Sequence, residues 1–242
     1  MIPLRDSIPN VHRPVAVWLL LALNAAAFLF TLHLTPQGMN QLAHLFGVIP
    51  ARYTHLPLGS VTGSVLWDVA PLLTYMFLHA GFMHFLINMW SLWIFADNVE
   101  DVMGPGRFLL FYVLCGLAAL ATHIVFHPSS TVPVVGASGA VAGVMGAYFV
   151  LYPHGRVLTL IPIFIFPWIV EIPAILFLGL WFVLQFVSGL MDATTPGDGS
   201  GIAFWAHAGG FAAGMLLIPV FRIRRRCYYC FNRVSRRYER ER

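Results

Sequence analysis

The chain has 242 residues, 59% of them hydrophobic and only 10% charged, with a formal net charge of +4. Soluble domains carry roughly a quarter of their residues as charges, so this composition excludes an ordinary soluble enzyme and predicts a polytopic, all-α membrane protein. All 14 basic residues are arginine, and most of them cluster in residues 222–242.

Residues 1–14 are polar and contain proline. They show no cleavable-signal pattern and are assigned to a cytoplasmic N-terminal segment. A membrane span needs about 20 apolar residues. The spans predicted in chain order are 15–34, a second from about 80 to about 100, then 107–126, 135–152, 171–191 and 201–221. The breaks between them are rich in turn formers: Gly104-Pro105-Gly106, Pro128-Ser129-Ser130, Pro153-His154-Gly155 and Pro196-Gly197-Asp198-Gly199. The apolar run 158–170 is too short to cross, and Pro162 and Pro167 break it, so it is assigned to the interface. Residues 15–221 therefore form a membrane domain, a compact bundle of six transmembrane helices, and 222–242 an arginine-rich tail.

Six spans bring both termini to one face. Arg5, Arg13, Arg107, Arg156 and the tail arginines share that face, while Arg52 lies opposite. The positive-inside rule makes the shared face cytoplasmic. The tail then faces anionic lipid rather than nucleic acid. The connection 35–79 lies outside, and its Leu56, Leu58, Val65, Leu66 and Trp67 place it in the interface. His84 and Asn88 fall near the start of span two, Ser138 near the start of span four, and His207 shortly after the start of span six. At ~1.5 Å per residue these groups share one outer-leaflet layer. Asp97, Glu100, Asp101 and Glu171 lie at the inner end, and Asp68, Asp192 and Asp198 in outer loops, so no carboxylate shares that layer deep in the bundle.

A serine hydroxyl is a poor nucleophile until a base takes its proton, and histidine suits that task. Ser138 sits in Gly136-Ala137-Ser138-Gly139, and His207 in Ala206-His207-Ala208-Gly209-Gly210. Taken singly, each has an ordinary use: a membrane serine commonly bonds back to its own helix, and a membrane histidine to a neighbouring span. Gly139 and Gly143 on span four, and Ala206, Gly210 and Gly214 on span six, recur every four residues. Small residues at that interval let backbones approach closely, which would bring the two side chains together. His84 and Asn88, at i and i+4, share a helix face. They can donate hydrogen bonds to an oxyanion with the Ser138 N–H, or simply tie span two to its neighbours.

His79 with His84, and His123 with His127, have spacings that could suggest a metal, but no Cys, Asp or Glu joins either pair, so no metal and no cofactor is assigned. His123 and His127 are assigned to the outer interface. Cys115 lies inside a span, and Cys227-Tyr228-Tyr229-Cys230 is half of a zinc-site spacing with no second half.

In combination, His84-x-x-x-Asn88, Gly136-Ala137-Ser138-Gly139 and Ala206-His207-Ala208-Gly209-Gly210 with Gly214 resemble the rhomboid family of intramembrane serine proteases. Residues 99–108, Val-Glu-Asp-Val-Met-Gly-Pro-Gly-Arg-Phe, resemble the family segment between spans two and three, and Asn24 in span one fits as well. The resemblance implies a six-helix bundle with a water-filled cavity open to the outside. It implies Ser138 as nucleophile, His207 as general base, and an oxyanion hole of Asn88, His84 and the Ser138 backbone. It implies membrane-protein substrates, single-span or polytopic, entering past span five and the loop 192–200. One departure stands out: many relatives carry Trp-Arg before span two, where this chain has Trp67-Asp68. A competing class is a non-catalytic, rhomboid-like protein that binds membrane proteins without cutting them. A transporter is a third, but no internal repeat supports it. The expected location is a bacterial inner membrane, with both termini cytoplasmic.

Overall fold

The computed structural model describes residues 1–58, 60, 63–163, 166–194, 203–226, 228–232, 235 and 237–240. Strand β1 (Ile2–Asp6) precedes helix α1 (Val15–Thr31). Four short helices follow, α2 (Pro36–Phe46), α3 (Pro50–His55), α4 (Val65–Val69) and α5 (Pro71–Thr74), with a 3-10 turn at Tyr75–Phe77. Then come α6 (Phe82–Met103), α7 (Pro105–Phe126) and α8 (Ser138–Leu151). A hairpin of β2 (Arg156–Ile163) and β3 (Phe166–Pro173) leads into α9 (Ala174–Thr194) and α10 (Phe204–Phe221). A 3-10 turn at Arg224–Arg226 and a second hairpin, β4 (Tyr229–Asn232) with β5 (Arg237–Arg240), follow.

Local chemistry explains where the helices stop and start. Gly104 closes α6 at φ +77°, a conformation that favours glycine, and its N–H donates to the Glu100 carbonyl at 2.6 Å. Pro105 then opens α7 at its first position, where a missing N–H costs nothing. At α2 the Thr35 hydroxyl accepts the Gly38 N–H at 3.2 Å, ahead of Pro36. Helix α1 lacks a cap of its own. The buried Glu100 carboxylate of α6 supplies one, accepting the Ala16 and Val17 N–H groups at 3.0 and 2.9 Å. Asp101 holds the preceding backbone in the same way, through Val11 and His12.

Helix α8 is the centre of the bundle, and every residue from Gly139 to Tyr148 is buried. Its glycines determine how closely its neighbours come. A methyl group at Gly210 would run into the Gly139 carbonyl, and one at Gly214 into the Gly143 carbonyl. On the other side, a methyl at Gly139 would meet the Ala119 Cβ of α7 at 2.6 Å, and one at Gly143 would meet the Cys115 side chain. The outward faces are apolar instead: Leu216 and Val220 on α10, and Leu176, Val183, Leu184 and Leu190 on α9, are exposed. An uncovered apolar surface on that scale is a lipid-facing one.

Among the described residues, α7, α9 and α10 are each long and apolar enough to cross a bilayer, and α4–α6, bent by 78°, passes as a further broken span. Helices α1 and α8 are apolar but shorter, with 17 and 14 residues. The expected spans therefore need correction at their ends. Span four begins at Ser138 rather than residue 135, span five at Ala174 rather than 171, and the described part of span six at Phe204.

Other differences concern the segments outside the helices. The described residues of the run 158–170, which is too short to cross, form strands β2 and β3, and β1 pairs antiparallel with β2 to complete a three-stranded sheet in the order β1-β2-β3. The polar N-terminal segment is thus partly a strand. The connection 35–79 is mostly helical among its described residues. Its Leu66 and Trp67 are exposed, whereas Asp68 is buried and lines a small pocket with Arg52. Beyond α10 the chain folds back: the His154 N–H donates to the Tyr238 hydroxyl at 3.4 Å, and the His154 and Phe231 rings lie 4.4 Å apart. Cys227, Gly201 and the loop 195–200 lie outside the described residues.

Candidate active site

The site begins with a helix that starts late. Fourteen residues of α8 give about 21 Å of rise, against about 30 Å of hydrocarbon. The segment before it is tied down from below. The Gly136 N–H donates to the Tyr75 carbonyl at 2.8 Å, and the buried Tyr75 hydroxyl donates to the Gly116 carbonyl at 2.7 Å. Val48 and Val134 form an isolated antiparallel bridge beside it. Gly136 takes φ +129°, beyond the ordinary reach of an L-residue. Ser138 is consequently the first residue of α8, between the buried Ala137 and Gly139.

A cavity of about 670 Å³ opens in front of Ser138. The starts of α6, α8 and α10 and the ends of α7 and α9 all line it. It therefore lies at the opposite end of the bundle from Gly104, Arg107 and the 3-10 turn of arginines. His84, Asn88, Ser138 and His207 all face into it. Four residues widely separated in sequence converge there because α6, α8 and α10 run in the same direction.

The distances divide the four. The His84 ring and the Ser138 hydroxyl flank Gly136: a methyl group there would lie 2.7 Å from His84 Nε2 and 3.7 Å from Ser138 Oγ. Asn88 is buried, and its side-chain amide donates one N–H to the His84 carbonyl at 2.8 Å, leaving the second N–H. No side chain caps α8, so its first-turn N–H groups, Ser138's among them, meet the cavity with the positive end of the helix dipole. His207 makes its hydrogen bond elsewhere, with Nδ1 2.7 Å from Gln185 Oε1 of α9. Among the described residues no hydrogen bond joins Ser138 to His207; what they share is the cavity and the close seam beneath it.

Sequence reasoning missed Gln185 and Trp181, whose ring centroid lies 6.0 Å from that of His207. The signal available was slight: one amide in an apolar helix, four residues after a tryptophan. His123 and His127, expected at the outer end of span three, lie at the end of α7. Their rings stack at 4.8 Å and face the cavity, with His127 Nε2 3.7 Å from Asp192 Oδ2. His79 is buried, with its ring edge-on to His84 at 5.3 Å.

Comparison with known proteins agrees with the helical bundle. The family model of the Rhomboid domain matches residues 66–224, so the chain belongs to the rhomboid family. It is similar to the "Putative rhomboid protease YdcA" of Bacillus subtilis (strain 168), at 38% identity over 118 residues, 46% of this chain and 57% of that protein. It is also similar to the rhomboid protease GluP of the same organism, at 42% over 76 residues, 31% of this chain and 14% of that protein. The mitochondrial rhomboid protein 1 of Saccharomyces cerevisiae matches at 26% over 162 residues, 65% of this chain and 41% of that protein. The chain thus spans between about a seventh and just over half the length of these relatives. Family and apolar helices together make it an integral, multi-pass membrane protein.

Proposed function

We propose that the chain is a serine-type intramembrane endopeptidase that hydrolyses a peptide bond in or near the transmembrane helices of other membrane proteins. One observation carries the reading: Ser138, His207, Asn88 and His84 line a single cavity, at the end of the bundle away from Arg107 and the Arg224–Arg226 turn. His207 takes the proton of Ser138 as its oxygen attacks the substrate carbonyl. The Ser138 N–H, the Asn88 amide and His84 receive the developing oxyanion. His207 then protonates the leaving amine, and water from the cavity hydrolyses the acyl-enzyme. No cofactor enters. A dyad at rest need not be hydrogen-bonded, because such contacts often tighten only with substrate bound.

The same proposal takes residues 15–221 as the catalytic membrane domain. The arginines at the closed end make that end cytoplasmic, in a bacterial inner membrane, with the tail toward anionic lipid. The competing reading, a rhomboid-like protein that holds membrane proteins without cutting, draws on the missing Ser138–His207 bond. One experiment separates the two. Purified protein in detergent should cut a transmembrane reporter, and Ser138→Ala and His207→Ala should each abolish cutting. Cleavage retained in either variant removes the dyad; none in the unaltered protein, across several reporters, favours the binder.

A further inference from the structure

Gln185 is a half-buried amide in α9, with Val183, Leu184, Phe186 and Val187 around it all exposed. A polar group there is costly unless it is bonded, and its partner is His207. The geometry matters more than the bond. Gln185 Oε1 lies 2.7 Å from His207 Nδ1, and an amide oxygen can only accept. With the amide oxygen toward the ring, Nδ1 carries the ring proton, which leaves Nε2 with a lone pair. Trp181, one turn earlier on α9, flanks the same imidazole. Helix α9 therefore bonds the ring at Nδ1 and places a tilted indole beside it.

We infer that Gln185 is a positioning residue that fixes His207 in the Nδ1–H tautomer, so that α9 keeps the ring ready to act as a base toward the Ser138 side of the cavity. The inference rests on the proposed dyad, yet it makes a claim about His207 that needs no turnover. With the amide turned round, its N–H₂ would face Nδ1, the proton would sit on Nε2, and the ring could not accept the serine proton. Among the described residues, the titratable groups that share the cavity with the ring are His84 of α6, His123 and His127 of α7 and Asp192 of α9. Among the described residues none of the four is hydrogen-bonded to Nδ1, whose partner is Gln185.

The test has two arms. In the first, histidine-labelled ¹⁵N NMR of Ser138→Ala protein in detergent, with His207→Ala to assign the signal, should show Nδ1 protonated and Nε2 unprotonated. The opposite tautomer overturns the inference, whether or not the protein cuts anything. In the second, Gln185→Leu should lower kcat about 10–100-fold, the scale seen when a group that orients a functional histidine is lost, with little change in KM. Gln185→Glu keeps an acceptor and cannot donate. It should restore most of the rate and move the acid limb of the pH profile upward, because a carboxylate favours the imidazolium. A merely structural glutamine would change stability and leave tautomer and pH limb alone. A Gln185→Leu variant that folds, retains kcat and keeps the Nδ1–H signal overturns the proposal; if that variant does not fold, the first arm decides.

Discussion

Gly136 shows how one backbone angle can shape a site. At φ +129° and with the His84 ring where a methyl would go, it admits no side chain. Gly136→Ala should push the imidazole off its position and cut activity at least tenfold, read as kcat against a transmembrane reporter with unfolding followed in parallel. Asn88 offers a milder probe. Its amide has a second N–H and lines the same cavity as Ser138, so Asn88→Ala should slow turnover by roughly 100-fold, the cost of an oxyanion donor elsewhere. Unchanged turnover would confine Asn88 to its bond with the His84 carbonyl. His84, Asn88, Ser138 and His207 were all legible in the sequence, because polar groups in membrane-grade sequence are rare and these lie among glycines or at i, i+4. Gln185 was not, because a lone amide in a span has no spacing to mark it. Its meaning comes from the ring of another helix.

At the scale of elements, the seam between α8 and α10 is the most constrained contact. It is backbone against backbone, so nothing flexible can give way. Gly214→Val should therefore cost about 3 kcal/mol or more, and Gly106→Ala, which meets nothing, almost none. Thermal unfolding in detergent reads both. The α1 cap is a second constraint. Glu100 accepts two amide N–H groups as a buried carboxylate, and Glu100→Ala should cost about 1–3 kcal/mol through the orphaned donors. The glycine spacing was readable, and so was the Gly104-Pro105 break. The start of α8 was not. Val134 and Val135 are as apolar as the helix that follows, so hydropathy continues smoothly across a boundary set by Gly136 and the Tyr75 carbonyl.

Across the whole molecule, the end away from the cavity is sealed by contacts between distant parts. Asp6 of β1 accepts the Tyr148 hydroxyl of α8 at 2.7 Å. Burial pushes its pKa up from 3.8 to about 6, against the smaller lowering effect of its hydrogen bonds. A carboxyl raised in the folded state favours folding while protonated. Its contribution is full below pH 3.8 and is lost as pH rises through about 6. Wild-type protein should accordingly lose up to about 2 kcal/mol from this group between pH 4 and pH 8. Asp6→Asn, which can still accept the Tyr148 proton, should remove that slope. Unfolding midpoints at the two pH values, compared between the proteins, give the answer.

Hydropathy and motif spacing suffice for the membrane class, the approximate spans and the four polar candidates, because the free energy of placing a segment in lipid belongs to that segment alone. Pairing does not. The β1–β2 strands are some 150 residues apart in sequence, and the bond that orients His207 comes from a different helix. Such contacts depend on which faces meet after the chain has packed, and no local pattern encodes that.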